Sequence, residues 1–213
     1  MSKPLIPTAA PRLPAAREDY DVKAENEYTR ALSLYFFQVD RLTASLLGRI
    51  GGKYLSHPYG AFQNAATQAI PAANTPYVVA LNTTDFSNGV TLASNQMTVA
   101  QGGIYNVQFS LQFENTTAQI GDTFVWLRKN GADIPGTTST WAVTSTHGGI
   151  NGYMLGACNF FITLNAGDYL ELVVAADITG INIEAYAAQT TPYVRPSTPS
   201  SVVTVSFVSN TPS

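Results

Sequence analysis

Four aspartates fall at positions where a chain reverses: Asp122, Asp133, Asp168 and Asp177. Two carboxylates held about 5 to 9 Å apart can hydrolyse a glycosidic bond, one as acid and one as base or nucleophile. Turn chemistry explains the same residues without catalysis, because Asp hydrogen-bonds its own backbone where the chain turns. A calcium ion could use Asp168 or Asp177 with backbone carbonyls, but nothing in the spacing requires one. The two histidines, His57 and His147, lack a second ligand at helical spacing, and one cysteine, Cys158, leaves no CxxC pair, so zinc is not expected. No Gly-X-Ser-X-Gly occurs, and Cys158 lies mid-strand between Ala157 and Asn159, where it reads as a small buried hydrophobe. Gly148-Gly149-Ile150-Asn151-Gly152 lacks the Lys-Ser/Thr of a phosphate loop and precedes a strand, so it reads as a plain loop. No catalytic residue, cofactor or metal is expected. One stretch suits ligand recognition: residues 133–152 gather Ser and Thr side chains around Trp141 and His147, with Tyr153 next to them, a composition fit for a sugar or a protein surface. Alternatively, Trp141 fills the gap between two sheets or lies in a contact between subunits.

Such residues need a scaffold, and from Gly60 onward the scaffold reads as β. In Gly103 to Phe113, Tyr105, Val107, Phe109, Leu111 and Phe113 alternate with Asn106, Gln108, Ser110 and Gln112, which makes a half-buried strand. Phe124 to Lys129 is a strand ending at Asn130-Gly131, the dipeptide of a type I′ hairpin. Further strands are expected at Tyr153 to Leu164, Asp168 to Ala175, Ile181 to Ala187 and Val202 to Val208. Eight to ten strands without an intervening helical pattern predict an antiparallel β-sandwich or jelly roll over residues 60–213.

The N-terminal quarter differs. Pro4, Pro7, Pro11 and Pro14 forbid helix over residues 1–18 and favour an extended arm, with Leu5, Ile6 and Leu13 as apolar anchors. Residues 19–48 form the one long helical pattern, with Asp19 and Asp21 able to cap its start and Gly48 its end. Along it Tyr28, Leu32, Tyr35, Val39, Leu42 and Leu46 recur at spacings of three and four, a coiled-coil seam, while Phe36 and Phe37 lie outside the seam. Residues 49–59, with Gly51, Gly52 and His57-Pro58, read as a hinge.

Net charge is −3 over 213 residues, and eight of the eleven Lys and Arg precede Pro58. Neither part is charged enough to point to nucleic acid, and no apolar run is long enough to span a membrane. The proline-broken N-terminus does not read as a signal peptide.

Thr98 to Tyr105, Val125 to Gly131 and Leu164-Asn165-Ala166-Gly167-Asp168-Tyr169-Leu170-Glu171-Leu172 resemble the strand joints of the trimeric jelly rolls of the complement one-q and tumour necrosis factor superfamily. With no Gly-X-Y repeat, the helix would take the place of a collagen stalk. The arm, the segment Asn26 to Leu32 and the Tyr59 to Gln63 start also resemble small virion proteins of tailed bacteriophages. That resemblance implies a homotrimer, assembled in the host bacterial cytoplasm and residing in the virion. It would be a short tail fibre whose arm and helix bind other virion proteins while jelly-roll loops meet a host glycan or protein. A capsid decoration protein or head fibre is the alternative within that class, and a soluble glycan- or protein-binding module is the alternative outside it.

Overall fold

The computed structural model describes residues 11–12, 21–47 and 57–211. Expectations for the arm with Leu5, Ile6 and Leu13, for Asp19 and Gly48, for the segment 48–56 and for the side chain of Leu46 lie outside the described residues. The chain divides into two compact units, Met1–Ser56 and His57–Ser213.

In the first unit the helix α1 spans Val22–Leu47. It starts where it does because Asp21 caps it: the Lys23 amide donates to Asp21 Oδ1 at 2.9 Å and the Glu25 amide to the Asp21 carbonyl at 3.0 Å. Asp21 and Glu25 also place negative charge at the positive end of the helix dipole.

The second unit is an antiparallel sandwich of two sheets. One sheet runs in the order β4 (Thr83–Asn88), β1 (Tyr59–Asn64), β14 (Ser201–Ser209), β7 (Gly103–Asn115) and β11 (Gly152–Leu164). The short strand β13 (Ile181–Ile183) continues the β14 edge along β7, and β2 (Gln68–Ala69) pairs with β13. The other sheet runs β5 (Val90–Ala93), β6 (Gln96–Val99), β12 (Tyr169–Ala176), β8 (Gly121–Lys129) and β10 (Ser139–Val143), with β3 (Tyr77–Val78) on β12 and β9 (Ala132–Asp133) on β8. From β7 onward the long strands β7, β8, β11, β12 and β14 alternate between the two sheets, as in a jelly roll, whereas β1 and β4 pair within one sheet and β5 and β6 within the other. The strands number fourteen rather than eight to ten. Three of them have two residues and one has three, too short to show a period in sequence.

Alternation sets the layers. Along β7 the side chains of Tyr105, Val107, Phe109, Leu111 and Phe113 are buried, facing Leu127 of β8 and Leu172 of β12 across the core, while the residues between them point outward. The β8–β9 hairpin turns at Asn130 and Gly131, with φ of 50° and 81°, the paired left-handed conformation that a type I′ turn requires. The expected strand Ile181 to Ala187 stops at Ile183. Beyond it, residues 184–199 fold into a narrow double-stranded loop, held by reciprocal backbone hydrogen bonds of 2.8–2.9 Å between Tyr186 and Thr198 and of 2.9 Å between Gln189 and Arg195.

Candidate functional site

Three of the four aspartates, Asp133, Asp168 and Asp177, hold their carboxylates in hydrogen bonds, while Asp122 stands in β8 and contributes its backbone amide. Asp168 accepts from the Asn165 amide at 2.8 Å and from Asn130 Nδ2 at 2.7 Å, which ties the two turns at that end of the sheet together. Asp133 accepts from Trp126 Nε1 at 2.8 Å and Arg128 Nε at 2.9 Å, and Asp177 accepts from the Asp122 amide at 2.7 Å. The carboxyl groups of Asp133 and Asp168 are both held below the usual carboxylate value. For Asp133 the main cause is the Trp126 hydrogen bond and then Arg128; for Asp168 it is the Asn165 amide and then Asn130. Among the described residues no three His, Cys, Asp or Glu side chains converge as metal ligands.

Residues 133–152 do not gather their aromatic and histidine into one place. Trp141 stands on β10 and turns toward the core, edge-on to Phe109 at 6.1 Å and tilted against Phe113 at 6.3 Å, so it closes the sandwich where β10 meets β11. Gly156 on β11 makes room for it, since a Cβ there would sit 2.7 Å from the Phe113 ring and 3.2 Å from Trp141. His147 is exposed at a tight turn in which it pairs with Ile150 through backbone bonds of 2.9 and 3.0 Å, with Gly148 and Gly149 at φ of 59° and 80°. Cys158 is half-buried against the core rather than fully enclosed, because β11 is an edge strand of its sheet.

Tyr153 lies elsewhere, on the outward face of β11. That face carries Tyr153, Leu155, Ala157, Asn159, Phe161 and Thr163, all exposed, and β11 contains no Asp, Glu, Lys or Arg. Its two ends differ. Across one end, Phe161 of β11 pairs with Asn106 of β7, and Asn106 pairs with Ser206 of β14. Beyond them stand Val208 and the ring pair Tyr59–Phe86 at 6.0 Å. Phe161 and Phe86 are each 62% exposed and Val208 is 50% exposed, an apolar patch without a charged residue among them. The other end lies eight residues along β11, about 27 Å away at the rise of a strand. There Tyr153, Leu155 and Gln112 form one wall of a cleft of about 470 Å³, and the loop 184–199 forms the other with Tyr186, Gln189, Tyr193 and Arg195. Neither Trp141 nor His147 lines it.

On α1 the seam residues Leu32, Tyr35, Val39 and Leu42 are half-buried and Tyr28 is exposed. Phe36 and Phe37 are 58% and 60% exposed, with the Arg41 guanidinium 5.8 Å from the centre of the Phe37 ring. No helix among the described residues is long and apolar enough to cross a membrane.

Compared with known proteins, the chain matches no family model and no characterised sequence.

Proposed function

We propose that this chain is a non-enzymatic structural protein of a tailed-phage virion. It assembles as a homotrimer through α1 and the jelly roll, in the manner of a short tail fibre fastened by its arm and helix. The observation that carries this reading is the apolar end of the outward sheet face, Phe161 with Val208, Tyr59 and Phe86. These exposed apolar side chains, with only the uncharged Asn106 and Ser206 between them and the Asp85 carboxylate beside Phe86 hydrogen-bonded to Gln63, cost little to desolvate against a second copy, whereas left in water they favour aggregation. The strand order supports the resemblance to trimeric jelly rolls, and Phe36 and Phe37 leave the helix with apolar surface for a second contact. Sedimentation velocity of the full chain at micromolar concentration should give a trimer, and Phe161→Asp should weaken it by placing three charges in the contact. A monomeric wild type, or a trimer indifferent to this substitution, would remove the support. Cryo-electron microscopy of intact particles decides between the tail and a place on the capsid.

A further inference from the structure

The cleft at the far end of the same face has the opposite character from the apolar patch. From Pro58 onward the chain has only three cationic side chains, Arg128, Lys129 and Arg195. Arg128 pairs with Asp133 at 2.9 Å, and Lys129 lies in the field of Asp168. Arg195 has no carboxylate partner among the described residues. It is instead set in place: its Nε donates to Gln189 Oε1 at 2.7 Å and its guanidinium lies 5.5 Å from the centre of the Tyr186 ring. Tyr186 in turn meets Tyr153 edge-on at 6.2 Å. The Tyr186 phenol is pushed up to about 12 by burial first and then by Tyr153, Glu114 and Glu184, so it remains a protonated donor at any physiological pH. Tyr193, at the tip of the loop, is 65% exposed, although the rest of its loop is tied down by the paired backbone bonds at 186/198 and 189/195.

We propose that this cleft binds a neutral saccharide of one or two pyranose rings. A pyranose offers an apolar C–H face and a rim of hydroxyls. Tyr193 and Tyr153 supply aromatic surface for the first, while Gln112 and the remaining guanidinium N–H groups of Arg195 supply planar donors and acceptors for the second, Gln189 being bonded to Arg195 and to the Thr191 carbonyl. The volume lies within the roughly 300–1,000 Å³ typical of small-ligand sites. Neutrality follows from the surroundings: Glu114 and Glu184 act on Tyr186, and residues 58–213 carry eight acidic against three basic side chains, a net −5, which opposes an acidic sugar. A polyproline segment also docks on tyrosines, but its grooves are chiefly apolar, and here amide and guanidinium groups share the lining. The assignment is independent of the virion reading.

The test is saturation-transfer NMR and calorimetry on the full chain with glucose, galactose, N-acetylglucosamine and their disaccharides at millimolar concentration. N-acetylneuraminic acid and a peptide copying residues 3–14 serve as competing probes. At least one neutral sugar should bind, with transfer from the tyrosine rings. Tyr193→Ala should weaken it about tenfold, the size of one lost aromatic stack, and Tyr193→Phe should restore it. Arg195→Gln should weaken it as well, and His147→Ala, at its separate turn, should leave it unchanged. Sedimentation of Tyr193→Ala must match wild type, so that a lost assembly is not mistaken for a lost site. Absence of binding by every neutral sugar, undiminished binding in Tyr193→Ala, tighter binding of the acidic sugar, or binding of the peptide alone would each overturn the proposal.

Discussion

Asp168 shows how a residue type that could do chemistry is committed to architecture. Its carboxylate receives an amide from its own turn and a side-chain amide from the neighbouring hairpin, so its charged form is stabilised by folding. A carboxyl group whose value is lowered in the folded chain contributes stability that is fully present above the unfolded value, 3.8, and is lost as pH falls below it toward the folded one. Thermal melting temperature should therefore fall as pH drops through and below the ordinary carboxylate range. Asp168→Asn should melt lower at pH 7 and should lose part of that acid dependence. An identical pH profile in the variant would mean that other carboxylates carry it. Trp141 makes the same point for aromatics: its ring packs against Phe109 and Phe113 in the space that Gly156 leaves.

Elements divide into those whose period is long enough to read and those that tertiary pairing creates. On α1 the seam predicts that Leu32, Val39 and Leu42 replaced together by Asp will separate the subunits, since each buried charge costs several kcal/mol if the helices stay paired. Sedimentation of this variant as a trimer would show that the jelly roll holds the assembly alone. The strand β7 was legible because apolar and polar residues alternate without a break from Tyr105 to Phe113, and the β8–β9 hairpin because Asn130-Gly131 names its turn. The strands β4, β5 and β6 were not. Residues 83–88 are polar apart from Phe86 and exposed apart from the half-buried Asn88, so no face alternates, and the β5–β6 turn is made by Ser94 and Asn95 at φ of 51° and 64°, without a glycine to mark it. The cleft was missed for a similar reason. Tyr186, Tyr193 and Arg195 lie in a stretch punctuated by prolines that reads as an interval between strands, and only the backbone pairing of 184–199 brings them opposite Tyr153. One signal was present: Arg195 is the sole Lys or Arg after Lys129.

For the whole molecule, the division at His57 separates a unit with its own closed core from one whose helix leaves Leu34, Phe36 and Phe37 more than half exposed. The core of the second unit, from Phe62 and Val79 to Val203 and Val205, is drawn from its own residues, so residues 57–213 should fold alone with β-type circular dichroism and a cooperative melt. Non-cooperative melting of that fragment would show that the first unit completes it. Attachment should then belong to the first 57 residues. Leu5, Ile6 and Leu13 would each contribute about 1.5–3 kcal/mol if buried in a groove of a partner. Phe36 and Phe37, more than half exposed on α1, would extend the same contact. Grafted onto a foreign trimeric β-domain, residues 1–57 should carry it into particles, and Phe36→Ala with Phe37→Ala should reduce its incorporation. If the graft is excluded while residues 58–213 are incorporated, the jelly roll is the anchor.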